Sequence, residues 1–465
     1  MIFALIAILL PCFAGTALLW YASTFFKHTQ GLMFRLLAAG ILVGFVLVTL
    51  LMRVYSLLGV SFSFWSLALP MILITACAGS LAFRRAVFAC PIDALRSSSL
   101  PTRLLFGGLL IWIVIRFILL WIEVATQPLF PWEAILQSGA QAHVLFGQGK
   151  LVSFVDSSAW LNQSGGDLYF SMSPSLPQTL PLLQTWMCLA VGEWNDALMN
   201  LPWWMMLAAL GFGAYGFIRQ NSGVLISLAA AWFVTSLPLL NTHVALAGLP
   251  DLPFAAAYTL SALALAVYSQ SKNGFDLAIF VILAFIAASF WQVSYVWLVT
   301  VLVALPFAFL PGWGRRGATI TLTVAVLGIL LLTQAGGALS PQLAALTFEF
   351  DTTQWQTMLI DGENWHVLWF AALVVSLFGA RQTLKPPCGV LTIILIGAIA
   401  VCVAMICIPR LGALVIGAVH AGRIVLTVMP LLAVWCIAVW SATLIQANTK
   451  IPDRETADAK AEHLP

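Results

Sequence analysis

Along this chain the apolar residues do not fall into the stripes of amphipathic helices. They form long unbroken runs separated by short polar breaks. Runs long enough to cross a bilayer occur at about 2–26, 34–56, 63–83, 104–122, 199–218, 222–240, 253–269, 276–290, 293–310, 317–335, 364–380, 388–408 and 424–446. The two runs flanking Trp291 are short, so a kinked or partly re-entrant arrangement is open there. The pattern predicts an all-α, polytopic transmembrane helical bundle of about 13 spans. The first run, Ile2 to Phe26, lacks a basic leader and is too long for the apolar segment of a signal peptide, so it reads as a retained span.

Two polar breaks are far longer than a connector requires. The first, 123–198, is rich in Gly, Ser, Gln, Asn and Trp, which suits a folded cap with short helices better than a disordered linker. The second, 336–363, is aromatic and acidic. The organisation expected is three N-terminal spans in 1–103, a transmembrane core with both outer loops in 104–446, and a short disordered cytoplasmic tail in 447–465. No internal repeat or separate soluble domain is visible.

Composition agrees with lipid as the main solvent. Of the 465 residues, 62% are hydrophobic and only 8% are charged, where a soluble domain carries roughly a quarter charged residues. Nineteen Trp suit the interfacial belts of a membrane protein. The eight Cys are scattered without a CxxC pair or a cluster at metal spacing, and packing is their reading.

Charge changes the picture by giving the spans a direction. Placing Lys27–Arg35, Arg84–Arg103, Arg219, Lys272, Arg315–Arg316, Arg381–Lys385 and the tail in the cytoplasm puts 15 of the 20 basic residues there. The opposite side receives 123–198, with six acids and one Lys, and 336–363, with four acids and no base. The layout requires that Leu182–Val191, only ten residues between Pro181 and Gly192, does not cross. It is expected on or in the outer interface as an amphipathic or half-inserted helix. The N-terminus is then outside and the C-terminus inside.

Ionisable groups near or within an apolar phase are costly and invite a functional reading. Glu133, in Phe130-Pro-Trp-Glu-Ala, is held at the outer mouth of the fourth span, where it could act as a general base, bind a cation, or be a solvated loop acid beside Trp132. Asp251, in Gly248-Leu-Pro-Asp-Leu-Pro, stands at the start of an apolar helix, where an N-cap is the plain alternative to catalysis. His243 lies in the same outer turn, with a hydrogen-bonded structural role as its ordinary reading. Arg423 breaks the charge pattern at the outer end of the last span; it could clamp a phosphate or snorkel to lipid headgroups. Arg53 and Arg116 lie within spans and suit pairing with carbonyls or a buried acid. Lys150, His143 and Asp156 sit in the large loop with nothing to distinguish them from surface residues. Walker A, GxSxG, HExxH and dinucleotide-binding glycine strings are all missing.

The order of these features resembles the GT-C superfamily of polytopic glycosyltransferases, which includes protein O-mannosyltransferases and the bacterial transferases that add aminoarabinose to lipid A. In that family a span leads into a long outer loop with an acid near its start, here Pro131-Trp-Glu133-Ala. The loop returns through a Pro- and Leu-rich string ending in Trp, here Ser173-Pro-Ser-Leu-Pro-Gln-Thr-Leu-Pro-Leu-Leu-Gln-Thr-Trp186. Gly248-Leu-Pro-Asp251-Leu-Pro-Phe matches a Gly-Tyr-Ala-Asp-Leu-Pro-Leu-like string, and Arg423 with Pro430 matches an Arg ahead of the last helix. The match covers about 104–446. Two departures stand out: the loop acid is Glu rather than the usual Asp, and Ser289-Phe-Trp-Gln-Val-Ser replaces a charged Lys-Asn-Glu-Gly-like string.

The resemblance implies a bacterial inner-membrane enzyme whose site faces the periplasm. It would transfer a sugar from a polyprenyl phosphate to a glycan, lipid or protein acceptor by a single inverting displacement, with no nucleic-acid partner. Glu133 and Asp251 would be catalytic, Arg423 would bind the donor phosphate, and His243, His420 and Trp132 would position substrate. No cofactor is implied with certainty, although the two acids could hold a divalent metal. Two other classes stay open. An O-antigen polymerase or ligase would lean on outer-loop Arg and His, whereas the large loop here has no Arg. A transporter or lipid-linked sugar flippase would show inverted repeats and discontinuous helices.

Overall fold

The computed structural model describes residues 1–27, 29–85, 99–162, 168–291, 294–310, 320, 366–407 and 421–449. The expected span at 317–335, the second outer loop, His420 and most of the tail lie outside the described residues.

The twelve remaining apolar runs all fold as helix. The first four are α1 (Ile2–Ser23), α2 (Leu32–Leu57), α3 (Phe64–Arg85) and α4 (Leu100–Thr126). The long polar segment follows, with α5 (Trp132–Ala134), a π-turn (Ile135–Gly139), α6 (Ala140–Gln148), β1 (Ser153–Val155), α7 (Ser157–Leu161), β2 (Leu168–Phe170) and α8 (Thr179–Val191). The second half holds α9 (Leu201–Ile218), α10 (Val224–Thr235), α11 (Pro238–Ala245), α12 (Asp251–Ser271), α13 (Gly274–Phe290), α14 (Ser294–Phe309), α15 (His366–Thr383), α16 (Cys388–Cys407), α17 (Ala421–Leu426) and α18 (Met429–Thr449). The protein is therefore an all-α, multi-pass helical bundle.

Eight of the described helices are long and apolar enough to cross a bilayer, or nine if the pair α10 and α11, bent by 55°, forms one broken span. The expected run at 317–335 lies outside the described residues, and among the other twelve several are interrupted by local breaks. Pro238 cannot continue α10, so the run breaks there. The chain also breaks around Trp291, leaving α13 with 17 residues and α14 with 16. At 1.5 Å per residue each reaches about 25 Å, short of a hydrocarbon core of about 30 Å. The last run breaks as well. Pro430 would clash with the Leu426 carbonyl in a continuous helix, so the crossing helix begins at Met429 and leaves α17 as a separate short helix carrying Arg423.

Close helix packing follows from small residues. Gly40 and Gly44 of α2 face Gly15, Thr16 and Pro11 of α1, and a Cβ at Gly44 would overlap the Pro11 carbonyl. α12, with Ala at 255, 256, 257, 262, 264 and 266, is the central element: 94% of its apolar window is buried among α9, α13, α14 and α16. α4 is its opposite, with 6% buried, touching the rest through α9, α10 and α11. α1 and α2 belong to the same hydrophobic core as the rest of the bundle.

The segment 123–198 is folded with short helices, as its composition suggested, and adds one short two-stranded parallel sheet. β1 and β2 pair Ser153 with Leu168 and Val155 with Phe170. The segment is tied to the α2–α3 turn by the Phe62 amide donating to the Gly149 carbonyl (2.6 Å) and the Leu151 amide donating to Ser56 Oγ (3.1 Å). α8 is 13 residues long, about 20 Å, and so too short to cross. Its surroundings correct the interfacial expectation. Eleven of its residues are buried, and Trp186 donates from Nε1 to the Ala7 carbonyl (2.8 Å) and stacks on Phe64 with centroids 5.0 Å apart. Even its polar residues Gln184 and Thr185 are buried and bond within the protein, to Asn200 and the Ala142 carbonyl.

Candidate functional site

Two chain segments that start far apart meet at the N-terminal end of α12. In the first, Pro131 sets the entry to α5, and Glu133 falls in its first turn. The π-turn that follows brings Ser138 inward, where its hydroxyl donates to the Gly248 carbonyl at 2.7 Å. Such π-turns are frequent at functional sites. In the second, Gly248 adopts φ +99°, a conformation that side chains rarely accept. A Cβ there would lie 2.7 Å from Leu129 Cδ1 and 2.8 Å from Ala134 Cβ, so the glycine lets this loop press directly on the Glu133 segment. The next carbonyl, Leu249, accepts from Nε1 of the fully buried Trp203 at 2.8 Å. Pro250 then hands over to Asp251, the first residue of α12.

Arg423, on α17, joins the two. Its Nε donates to both carboxylate oxygens of Asp251 at 3.1 Å, and its Nη2 donates to Asp251 Oδ2 at 2.8 Å. Nη1 donates to Glu133 Oε2. The two acids differ in setting: the Asp251 side chain is 0% exposed, Glu133 41% and Arg423 15%. Burial alone draws the Arg423 pKa down, but the charges of Asp251 and then Glu133 outweigh it and hold the guanidinium above its ordinary value. Asp251 also stands at a helix N-terminus, where the backbone dipole favours an anion. Its carboxylate is used on Arg423 rather than as an N-cap.

The cluster brings together three of the six residues singled out for a site: Glu133, Asp251 and Arg423. Trp132, next to Glu133, is 71% exposed. His243 lies half-buried in the last turn of α11, ahead of the Gly248 loop. His420 lies outside the described residues. Of the loop residues, Asp156 caps α7 by accepting from the Ala159 amide (2.8 Å), and His143 stacks on Trp194 at 4.5 Å; both have structural roles. Arg53 reaches Thr179 Oγ1 at 3.4 Å. Among the described residues no group of three or more His, Cys, Asp or Glu is arranged to hold a metal ion; in the cluster the guanidinium is the cation shared by the two carboxylates.

Sequence reasoning missed Ser138 and a second buried ion pair. Arg35 Nη1 contacts Asp276 Oδ1 at 2.6 Å, and Ser271 Oγ donates to Asp276 Oδ2 at 2.8 Å. An acid at the start of the apolar run 276–290 was the available signal. This pair lies at the C-terminal end of α12, with Lys272, and with Arg219 bonded to Gln30. The acidic cluster and the basic end thus stand at opposite ends of a 21-residue helix, about 30 Å apart.

No protein-family model, curated protein or solved structure matches the chain.

Proposed function

We propose that the protein is a membrane glycosyltransferase that moves a sugar from a polyprenyl phosphate to an acceptor hydroxyl at the outer, periplasmic face of a bacterial inner membrane. One observation carries the reading: Glu133, Asp251 and Arg423, drawn from three separate stretches of sequence, converge in one ion-paired cluster at the end of α12 opposite its basic end. Basic residues mark the cytoplasmic side of membrane proteins, and the basic groups at the other end of α12 support an outer position for this cluster.

In the proposed reaction the acceptor oxygen bonds to the anomeric carbon while the bond from that carbon to the phosphate oxygen breaks, its electron pair leaving with the phosphate. Glu133 takes the hydroxyl proton. Arg423 stabilises the negative charge gathering on the leaving phosphate. Asp251 holds the guanidinium in place. Phosphate leaves readily, so a second acid to protonate it is not required, unlike glycoside hydrolysis.

The test is transfer activity of Glu133→Gln and Arg423→Ala with folding verified. Near-native transfer by both variants would sink the assignment. A transporter is the second reading, favoured by the 55° break between α10 and α11. Turnover by purified protein in detergent, where no compartments exist, separates the two.

A further inference from the structure

The cluster poses a difficulty for any anion that is to bind Arg423. The guanidinium has five N–H donors on a planar fork, and three of them already serve carboxylates. Asp251 holds the Nε–Nη2 edge and Glu133 holds Nη1. Two carboxylates against one guanidinium leave the cluster with a net charge of about −1, which repels a phosphate. An anion is held best where one carboxylate yields, which frees a donor and removes the repulsion.

The structure distinguishes which. Asp251 is fully buried, begins the most enclosed helix of the bundle, and follows a loop pinned by Ser138, Trp203 and the contacts of Gly248. It has nowhere to go. Glu133 sits in a three-residue helical turn at the surface, with 41% of its side chain exposed, beside the exposed Trp132. Swinging Glu133 into water breaks one partly solvated contact; moving Asp251 would strand a buried charge.

We infer that Glu133 occupies, in the resting protein, the place on Arg423 that a substrate phosphate takes, and that phosphate binding releases Glu133 toward the acceptor. This rests on the glycosyltransferase reading and deepens it. Asp251 is the permanent partner of Arg423 and Glu133 the exchangeable one. The exchange orders the reaction: the base is tied down until the donor phosphate is seated, so an acceptor or a water arriving first meets a carboxylate that is already occupied. The ligand chemistry is a phosphate monoester or diester, either as a lipid headgroup or as free phosphate.

The test is equilibrium binding to the full chain in nanodiscs, read by tryptophan fluorescence, with undecaprenyl phosphate and inorganic phosphate as separate probes. Glu133→Gln and Glu133→Ala, at an exposed position, are expected to bind a phosphate probe about fivefold more tightly than the unaltered protein, the value of one partly exposed charged contact. Arg423→Gln is expected to weaken binding by tenfold or more. Tightening for undecaprenyl phosphate alone identifies a lipid headgroup, and equal tightening for inorganic phosphate identifies free phosphate; either supports the exchange. If both Glu133 variants bind as the unaltered protein does, or more weakly, while Arg423 is still required, the exchange is wrong and the phosphate site stands. If binding does not depend on Arg423, the exchange and the phosphate role in the proposed function both fall.

Discussion

Replacing Gly248 by alanine perturbs the joint between the two halves of the candidate site. The cost has two parts. A φ of +99° is strained for any residue with a Cβ, which is worth about 1–2 kcal/mol. The added methyl would also stand 2.7 Å from Leu129 Cδ1 and 2.8 Å from Ala134 Cβ. Leucine can turn away, but the Ala134 Cβ can move only with its backbone, and overpacking of this kind costs about 1–3 kcal/mol. Together the expected loss is about 2–5 kcal/mol. Gly192 separates the two parts. It has φ +85° at the end of α8, with nothing within 4 Å of its would-be Cβ, so Gly192→Ala should lose only about 1–2 kcal/mol. Pulse proteolysis of both variants in detergent, across a denaturant series, measures the difference. Equal losses for the two, or a Gly248→Ala protein within about 0.5 kcal/mol of the unaltered one, would refute the argument that the Gly248 loop is clamped against the Glu133 segment.

Four further outcomes are expected. Ser138→Ala leaves the buried Gly248 carbonyl without its 2.7 Å donor and should cost about 1–3 kcal/mol; Ser138→Thr, which keeps the hydroxyl, should recover part of it in the same assay. Asp276→Asn strands the buried Arg35 guanidinium and should cost about 3–5 kcal/mol, seen as a drop in the denaturant midpoint. Gly44→Ala drives a methyl into the Pro11 carbonyl and should lose about 3 kcal/mol. Gly107→Ala, on the open face of α4 with nothing within 4 Å, should instead be neutral or gain up to about 1 kcal/mol from helix propensity.

The apolar runs made the helices legible because a chain in lipid must satisfy its backbone within each segment. Where the runs were read too simply, proline and chain breaks decided the outcome. Pro238 bends the sixth run, and Pro430 cuts Arg423 away from the last helix onto its own short turn. The folded segment 123–198 was legible as a cap but not in detail. Val155 and Leu168–Phe170 lie in short β-prone stretches whose pairing depends on tertiary contacts. α8 could be excluded as a span by length and charge, yet its burial against α1 could not be inferred, since hydrophobicity does not say whether lipid or protein will cover it. At the site, the identities of Glu133, Asp251 and Arg423 were readable because charge is scarce in this chain. Their direct pairing was not, nor was Ser138, because a serine among apolar residues carries no sequence signal of the carbonyl it will meet.

The proposed activity at the Glu133, Asp251 and Arg423 cluster is transfer of sugar from a lipid phosphate. Its most direct measurement is the release of free polyprenyl phosphate when the purified protein meets a panel of polyprenyl-phosphate sugars and an envelope glycolipid acceptor pool. Release coupled to glycosylated acceptor is expected with the unaltered protein, and loss of both products in Arg423→Ala and Glu133→Gln with folding intact. Release at an undiminished rate from both variants, or none from the unaltered protein with any donor of the panel, would contradict it.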